Sequence, residues 1–108
     1  MSNQTSIPLV CDLSAIDPTQ RAKHQSLAQE LFKTFETYTE LEDGFAFRFP
    51  AETALLTKIA QYINLERRCC PFFHFVLELE ANGGHLWLKM TGQEGVKAFL
   101  QHELELIK

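Results

Sequence analysis

Apolar and polar residues alternate along this chain at two different periods, and the period changes at turn residues. In Ile7-Pro8-Leu9-Val10-Cys11-Asp12-Leu13-Ser14, the residues Ile7, Leu9, Cys11 and Leu13 fall on one side of a period-two pattern. Such a pattern predicts a strand with Cys11 on its apolar face. Pro8 has no N–H for a ladder, so this strand belongs at an edge or begins there. Asp17 and Pro18 then suit the N-cap and first position of a helix. Leu27, Leu31, Phe35 and Tyr38, with Ala28 and Phe32 beside them, recur at helical spacing, which predicts a helix from about 18 to 38. Glu42-Asp43-Gly44 reads as a turn, and Phe45, Phe47 and Phe49 share one face of a second strand that ends at Pro50. From about residue 52 the spacing is helical again. Leu55, Ile59, Tyr62, Ile63, Glu66 and the pair Cys69-Cys70 lie on one broad stripe. Pro71 disfavours helical backbone for the residue before it, so this helix should stop near Cys69.

Residues 72–91 carry a strong hairpin signal. With Asn82-Gly83 as the loop, Leu79 faces Leu86, Leu77 faces Leu88 and Phe75 faces Met90. A loop at Gly83-Gly84 keeps the same parity and pairs Glu78 with Lys89, and the pattern does not choose between the two. Gly92 closes the hairpin, and Val96, Phe99, Leu100, Leu104 and Ile107 mark a final helix. The order β-α-β-α-β-β-α predicts an α+β domain. Its sheet is mainly antiparallel, of about four strands, with helices packed on one face.

Composition narrows the class. A chain of 108 residues, 45% hydrophobic with nine Phe and one Trp, reads as a single domain over 1–108 with a true core. Residues 1–5 are polar and expected to fray. The net charge is −4, and no basic run exceeds Arg67-Arg68, so the footprint of a nucleic-acid binder or a polybasic membrane binder is missing. No apolar run approaches the roughly 20 residues of a membrane span, and the first ten residues do not read as a secretion signal. Three cysteines is an odd count, which suits a reducing cytoplasm in which Cys11, Cys69 and Cys70 are free thiols or ligands.

The adjacent cysteines carry the chemistry. Glu66 precedes Cys69 by three residues and Cys70 by four, so its carboxylate shares their helical face. A carboxylate on an apolar stripe needs a partner or a proton. The thiols also sit at the C-terminal, negative end of a helix, where both the dipole and Glu66 oppose thiolate formation. A bound soft cation reverses that, because it deprotonates its thiols and draws on the negative surroundings. Cys11 on the inward face of the first strand is a candidate third thiolate. His74, four residues beyond Cys70, is a further candidate ligand, although strand parity points it away from Phe73 and Phe75. Three thiols, or two with Glu or His, suit zinc, copper(I), mercury or trivalent arsenic.

Other readings compete. Vicinal Cys69-Cys70 could cycle through a disulfide, or one could act as a nucleophile with Glu66 as base. The protein could instead be a non-catalytic interaction module whose cysteines are plain core, with Val76 and Trp87 on the outer hairpin face as its surface for a partner or a second copy in a homodimer. His24, His85 and His102 read as surface or structural residues. No Gly-rich phosphate loop, HExxH, GxSxG or EF-hand pattern occurs.

At Leu65-Glu66-Arg67-Arg68-Cys69-Cys70-Pro71-Phe72-Phe73, followed by the hairpin and Thr91-Gly92-Gln93-Glu94-Gly95, the chain resembles a group of small bacterial proteins. They share an E-R-x-C-C-P-F core and a hairpin ending in a T-G-x-E-G turn. The likeness covers 65–100. It implies a bacterial cytoplasmic domain whose signature centres on Glu66, Cys69 and Cys70, and it implies no particular reaction. The leading expectation is a small cytoplasmic soft-metal or metalloid-binding protein with Cys69 and Cys70 as primary ligands. Glu66, Cys11 and His74 are its further candidates, and no residue is assigned a catalytic role.

Overall fold

A computed structural model describes residues 9–107, with side chains to residue 105. The fraying expected for 1–5, and Ile7 and Pro8 of the expected first strand, lie outside the described residues. Helix α1 spans Pro18–Thr34 and starts as the sequence predicts, with the Thr19 N–H donating to the Asp17 carboxylate at 3.1 Å. It ends earlier than expected. Phe35 leaves helical backbone (φ −62°, ψ 145°), and Thr37–Leu41 forms strand β1. Thr37, Tyr38 and Thr39 favour extended backbone over helix. Phe35 still packs against the core from that extended backbone, and the exposed Tyr38 covers its edge, with ring centroids 5.2 and 6.5 Å from Phe47.

Strand β2 (Gly44–Phe49) follows across Glu42-Asp43, then helix α2 (Thr53–Cys69), strands β3 (Phe73–Leu79) and β4 (Leu86–Gly92), and helix α3 (Val96–Ile107). The four strands form one sheet in the order β1-β2-β4-β3, every neighbouring pair antiparallel. This is the α+β class the alternation predicts. The hairpin takes the Asn82-Gly83 register, with Leu79 opposite Leu86 and Phe75 opposite Met90. Asn82 and Gly83 both have positive φ (60° and 67°), as a tight primed turn requires. Phe45, Phe47, Phe49, Leu86, Leu88 and Met90 face inward and are buried. Leu55, Ile59, Tyr62 and Leu65 of α2 and Val96 and Leu100 of α3 close over them. The other face of the sheet carries Arg48, His74, Val76, Glu78, Trp87 and Lys89.

The first strand expected around Cys11 does not form. Residues 9–12 are irregular and Leu13–Ala15 make one 3-10 turn, capped by Asp12, whose carboxylate accepts from the Ser14 N–H at 3.0 Å. Asp and Ser compete with ladders by bonding local backbone, which is what they do here. The segment is a strap across the end of α2. The Asp12 N–H donates to the Cys69 carbonyl at 2.7 Å. Arg21 Nε donates to the carbonyls of Leu13 and Ile16 at 3.0 and 3.1 Å, and Ile16 is fully buried.

At Gly44 the backbones of β2 and β4 meet with no room for a side chain, since a Cβ there would sit 2.0 Å from the Met90 carbonyl oxygen. Gly44→Ala must therefore displace sheet backbone. It should lower stability by about 2 kcal/mol or more, read as a lower urea midpoint at unchanged slope.

Candidate functional site

The site forms where the strap, α1 and α2 converge. In α2, Tyr62, Glu66 and Cys69 follow each other at four and three residues, so one helical face carries all three. Cys70 caps that helix, its N–H donating to the Glu66 carbonyl at 2.8 Å. The strap brings Cys11 to the same place, and Cys11 and Cys70 are joined by a disulfide that closes a sequence separation of 59 residues. The expectation of three free thiols is thereby corrected. Among the described residues only Cys69 keeps its thiol. The sequence hides this pairing because the bond depends on the strap crossing the end of α2, and period-two alternation says nothing of such a crossing.

Cys69 Sγ lies 3.5 Å from Cys70 Sγ and 3.6 Å from Glu66 Oε1, to which its S–H donates. Both cysteines of the pair are buried, whereas Cys11 is exposed. The partner that a carboxylate on this stripe requires is His24 of α1, its Nε2 2.6 Å from the same Glu66 Oε1. Side-chain exposure is only 11% for His24 and 12% for Glu66, so the contact is largely shielded from water. The His24 ring stacks parallel to Tyr62 at 6.0 Å. One ligand atom each from His24, Glu66 and Cys69 lie within 4.8 Å of one another. These residues border a cavity of about 300 Å³ that also touches Cys11, Tyr62 and Cys70.

The electrostatics follow from that crowding. Burial pushes the Cys69 thiol up to about 12, and the neighbouring Glu66 charge and hydrogen bond add to the shift. Burial, then the Glu66 charge, also raises the Tyr62 phenol well above its ordinary range. The site holds its acids protonated or paired.

His74 does not join this group. It is exposed on the outer face of β3, opposite Thr91 of β4, as strand parity requires. His24 is the residue that sequence reasoning missed. Its position was a usable signal, because 24, 27, 28 and 31 form one helical stripe, and a histidine on such a stripe faces the core. On the outer hairpin face Val76 is exposed, while Trp87 is half-buried and its Nε1–H donates to Glu80 at 2.6 Å. Comparison with protein-family models, curated proteins and solved structures finds no match.

Two outcomes follow. In the unfolded chain the Cys69 thiol ionises near its ordinary value of 9.0, but in the folded protein only near 12. Between these limits unfolding releases a proton, so this contribution is complete below pH 9.0 and is lost as pH rises toward 12. Non-reducing urea melts across that range should show the decline, and Cys69→Ala should make it shallower, most clearly between pH 9.0 and 10.0, below the ordinary range of the Tyr62 phenol. Separately, His24→Ala strands a shielded carboxylate and should cost about 2 kcal/mol. Against Glu66→Gln in a double-mutant cycle, the two substitutions should couple by about 1 kcal/mol or more.

Proposed function

We propose that this protein is a small binder of a soft metal or metalloid ion, working in a reducing cytoplasm in the form whose Cys11–Cys70 bond is open. One observation carries the reading: three sulfurs, two from the end of α2 and one from the strap, meet beside a carboxylate and an imidazole. Two thiolates on one ion, with bonds of about 2.3 Å and tetrahedral angles, stand roughly 3.8 Å apart. Cys69 and Cys70 are already 3.5 Å apart, so their adjacency in the chain is no obstacle to sharing an ion. With the bridge open, Cys11 is the third thiolate.

A cation also suits the electrostatics. The same negative surroundings that hold the Cys69 proton in place stabilise a thiolate once a soft ion replaces that proton. His24 and Glu66 then serve as outer donors that orient the sulfurs, or as hard ligands for an ion of zinc type. Three sulfurs without other ligands favour trivalent arsenic, mercury or copper(I). The proposed partner is the ion itself, and neither nucleic acid nor a membrane enters the reading. Among the described residues no helix is long and apolar enough to cross a membrane.

A second reading has its own support. A thiol 3.5 Å from one sulfur of a disulfide is placed for exchange, in which Cys69 would bond Cys70 and release the Cys11 thiol. A thiol that ionises only near 12 is about one part in 10⁴ thiolate at pH 8, which makes such exchange slow and ranks this reading second.

Anaerobically reduced protein titrated with arsenite, mercuric ion and zinc separates the two. Ion binding predicts one ion per chain by native mass spectrometry, loss of all three thiols to a colorimetric thiol reagent, and proton release on uptake. Cys69→Ser and Cys11→Ser should each weaken retention by about tenfold or more. Three thiols that stay fully reactive in the presence of every ion would remove the proposal.

A further inference from the structure

We infer that the cargo is an organic derivative of a soft ion, an aryl-substituted arsenic(III) species or one of similar shape, and not the bare ion. The inference rests on the ion-binding reading above and adds the chemical class of the ligand. Its basis is the cavity beside the sulfurs. An ion held by thiolates takes up little more space than a water molecule, whose share of liquid volume is about 30 Å³. The cavity measures about 300 Å³. An apolar cavity of about half that size is enough to hold a benzene ring.

The walls have matching chemistry. The sulfurs, Glu66 and His24 are the reactive lining, and Glu103, exposed, also borders the space. The rest of the lining includes Ala28, Phe32, Phe73, Phe99, Leu100 and Leu104. A site serving a bare ion gains nothing from aromatic walls. A site serving an aryl group gains from both the buried ring area and edge or face contact with Phe side chains. The ligand set allows for such a guest. An aryl arsenic(III) oxide condenses with two thiols, forming two As–S bonds, breaking the As–O bond and releasing one water, with no change of oxidation state. Bare arsenite uses three thiols and releases three waters. Two of the three sulfurs therefore suffice for the organic species, and the third is left as a thiol.

The test uses the reduced full chain with three probes: arsenite, methylarsonous acid and phenylarsine oxide. Each is measured in competition with dithiothreitol, so that the intrinsic affinity of two arsenic–sulfur bonds cancels for the methyl and phenyl compounds. The methyl and phenyl compounds make the same two As–S bonds and differ only in the organic body. The expected result is a phenyl-over-methyl preference of about tenfold or more relative to the free dithiol. Ala28, one helical turn beyond His24 in α1, supplies the variant. Ala28→Phe should weaken phenylarsine oxide by about tenfold while arsenite changes less than about threefold. Should Ala28→Phe fail to fold, Ala28→Leu and the wild-type ratio keep the question decidable. A phenyl-to-methyl ratio equal to that of dithiothreitol overturns this inference and leaves ion binding standing. Failure of all three probes to displace dithiothreitol also overturns this inference, and the ion-binding reading falls with it only where mercuric ion and zinc likewise leave the three thiols reactive.

Discussion

The whole site depends on how the C-terminal turn of α2 is closed. A helix ends with carbonyls that have no partner inside it. Here two are satisfied by the chain around the cysteines: Glu66 by the Cys70 N–H, and Cys69 by the Asp12 N–H of the strap. The second bond, at 2.7 Å, fixes the strap against the helix end, and the Cys11–Cys70 bond fastens it one residue away. Arg21 holds the far side by its two carbonyl contacts, and Ile16 anchors the strap in the core. Without that clip the cavity loses the wall formed by Cys11 and Leu13, and the buried cysteines face water.

Several electron-rich groups crowd this helix end, and each has its own partner. Cys70 has no ionisable proton because it is bonded to Cys11. Cys69 keeps its proton because burial and Glu66 make the thiolate unfavourable. Glu66 has His24, brought across from α1. Arg67 and Arg68 in the last turn are exposed and act on the dipole from outside. Burial and the Glu66 charge act together here against an ionised Cys69.

The parts of this picture that the sequence discloses are the local ones. The hairpin was legible because alternation from Phe73 to Met90 around Asn82-Gly83-Gly84 fixes which residues face inward, although not which of two registers pairs them, and α2 was legible because its stripe and Pro71 agree on where it ends. The common face of Glu66, Cys69 and Cys70 followed from helical geometry alone. Three features were not legible. Phe35 and Tyr38 keep helical spacing by chance of position, which concealed strand β1. The strap imitates a strand because Leu9 and Cys11 both turn toward the protein, one into the core and one into a covalent bond. His24 was discounted as a lone histidine, although it shares the inward stripe of α1 with Leu27 and Leu31. The strap and His24 depend on contacts between segments far apart in the chain, such as the 42 residues separating His24 from Glu66, whereas β1 was hidden by a local competition between helical spacing and extended backbone.

The disulfide and the proposed ion do the same mechanical job. Closing a loop of this length by one cross-link removes unfolded-state entropy worth about 4 kcal/mol in the chain-entropy model. Reduction gives that up and leaves the strap held by the Asp12, Arg21 and Ile16 contacts alone. An ion bound jointly by Cys11 and the end of α2 closes the same loop again, now through sulfur–metal bonds. The free energy of capture would then include the restored closure, with the proposed ion taking the place of the disulfide and not adding to it. An organic ion held by only two sulfurs recovers the closure only if Cys11 is one of them. That condition favours Cys11 with one sulfur of the buried pair over the adjacent pair alone, and it ties the cargo to the strap that walls the cavity.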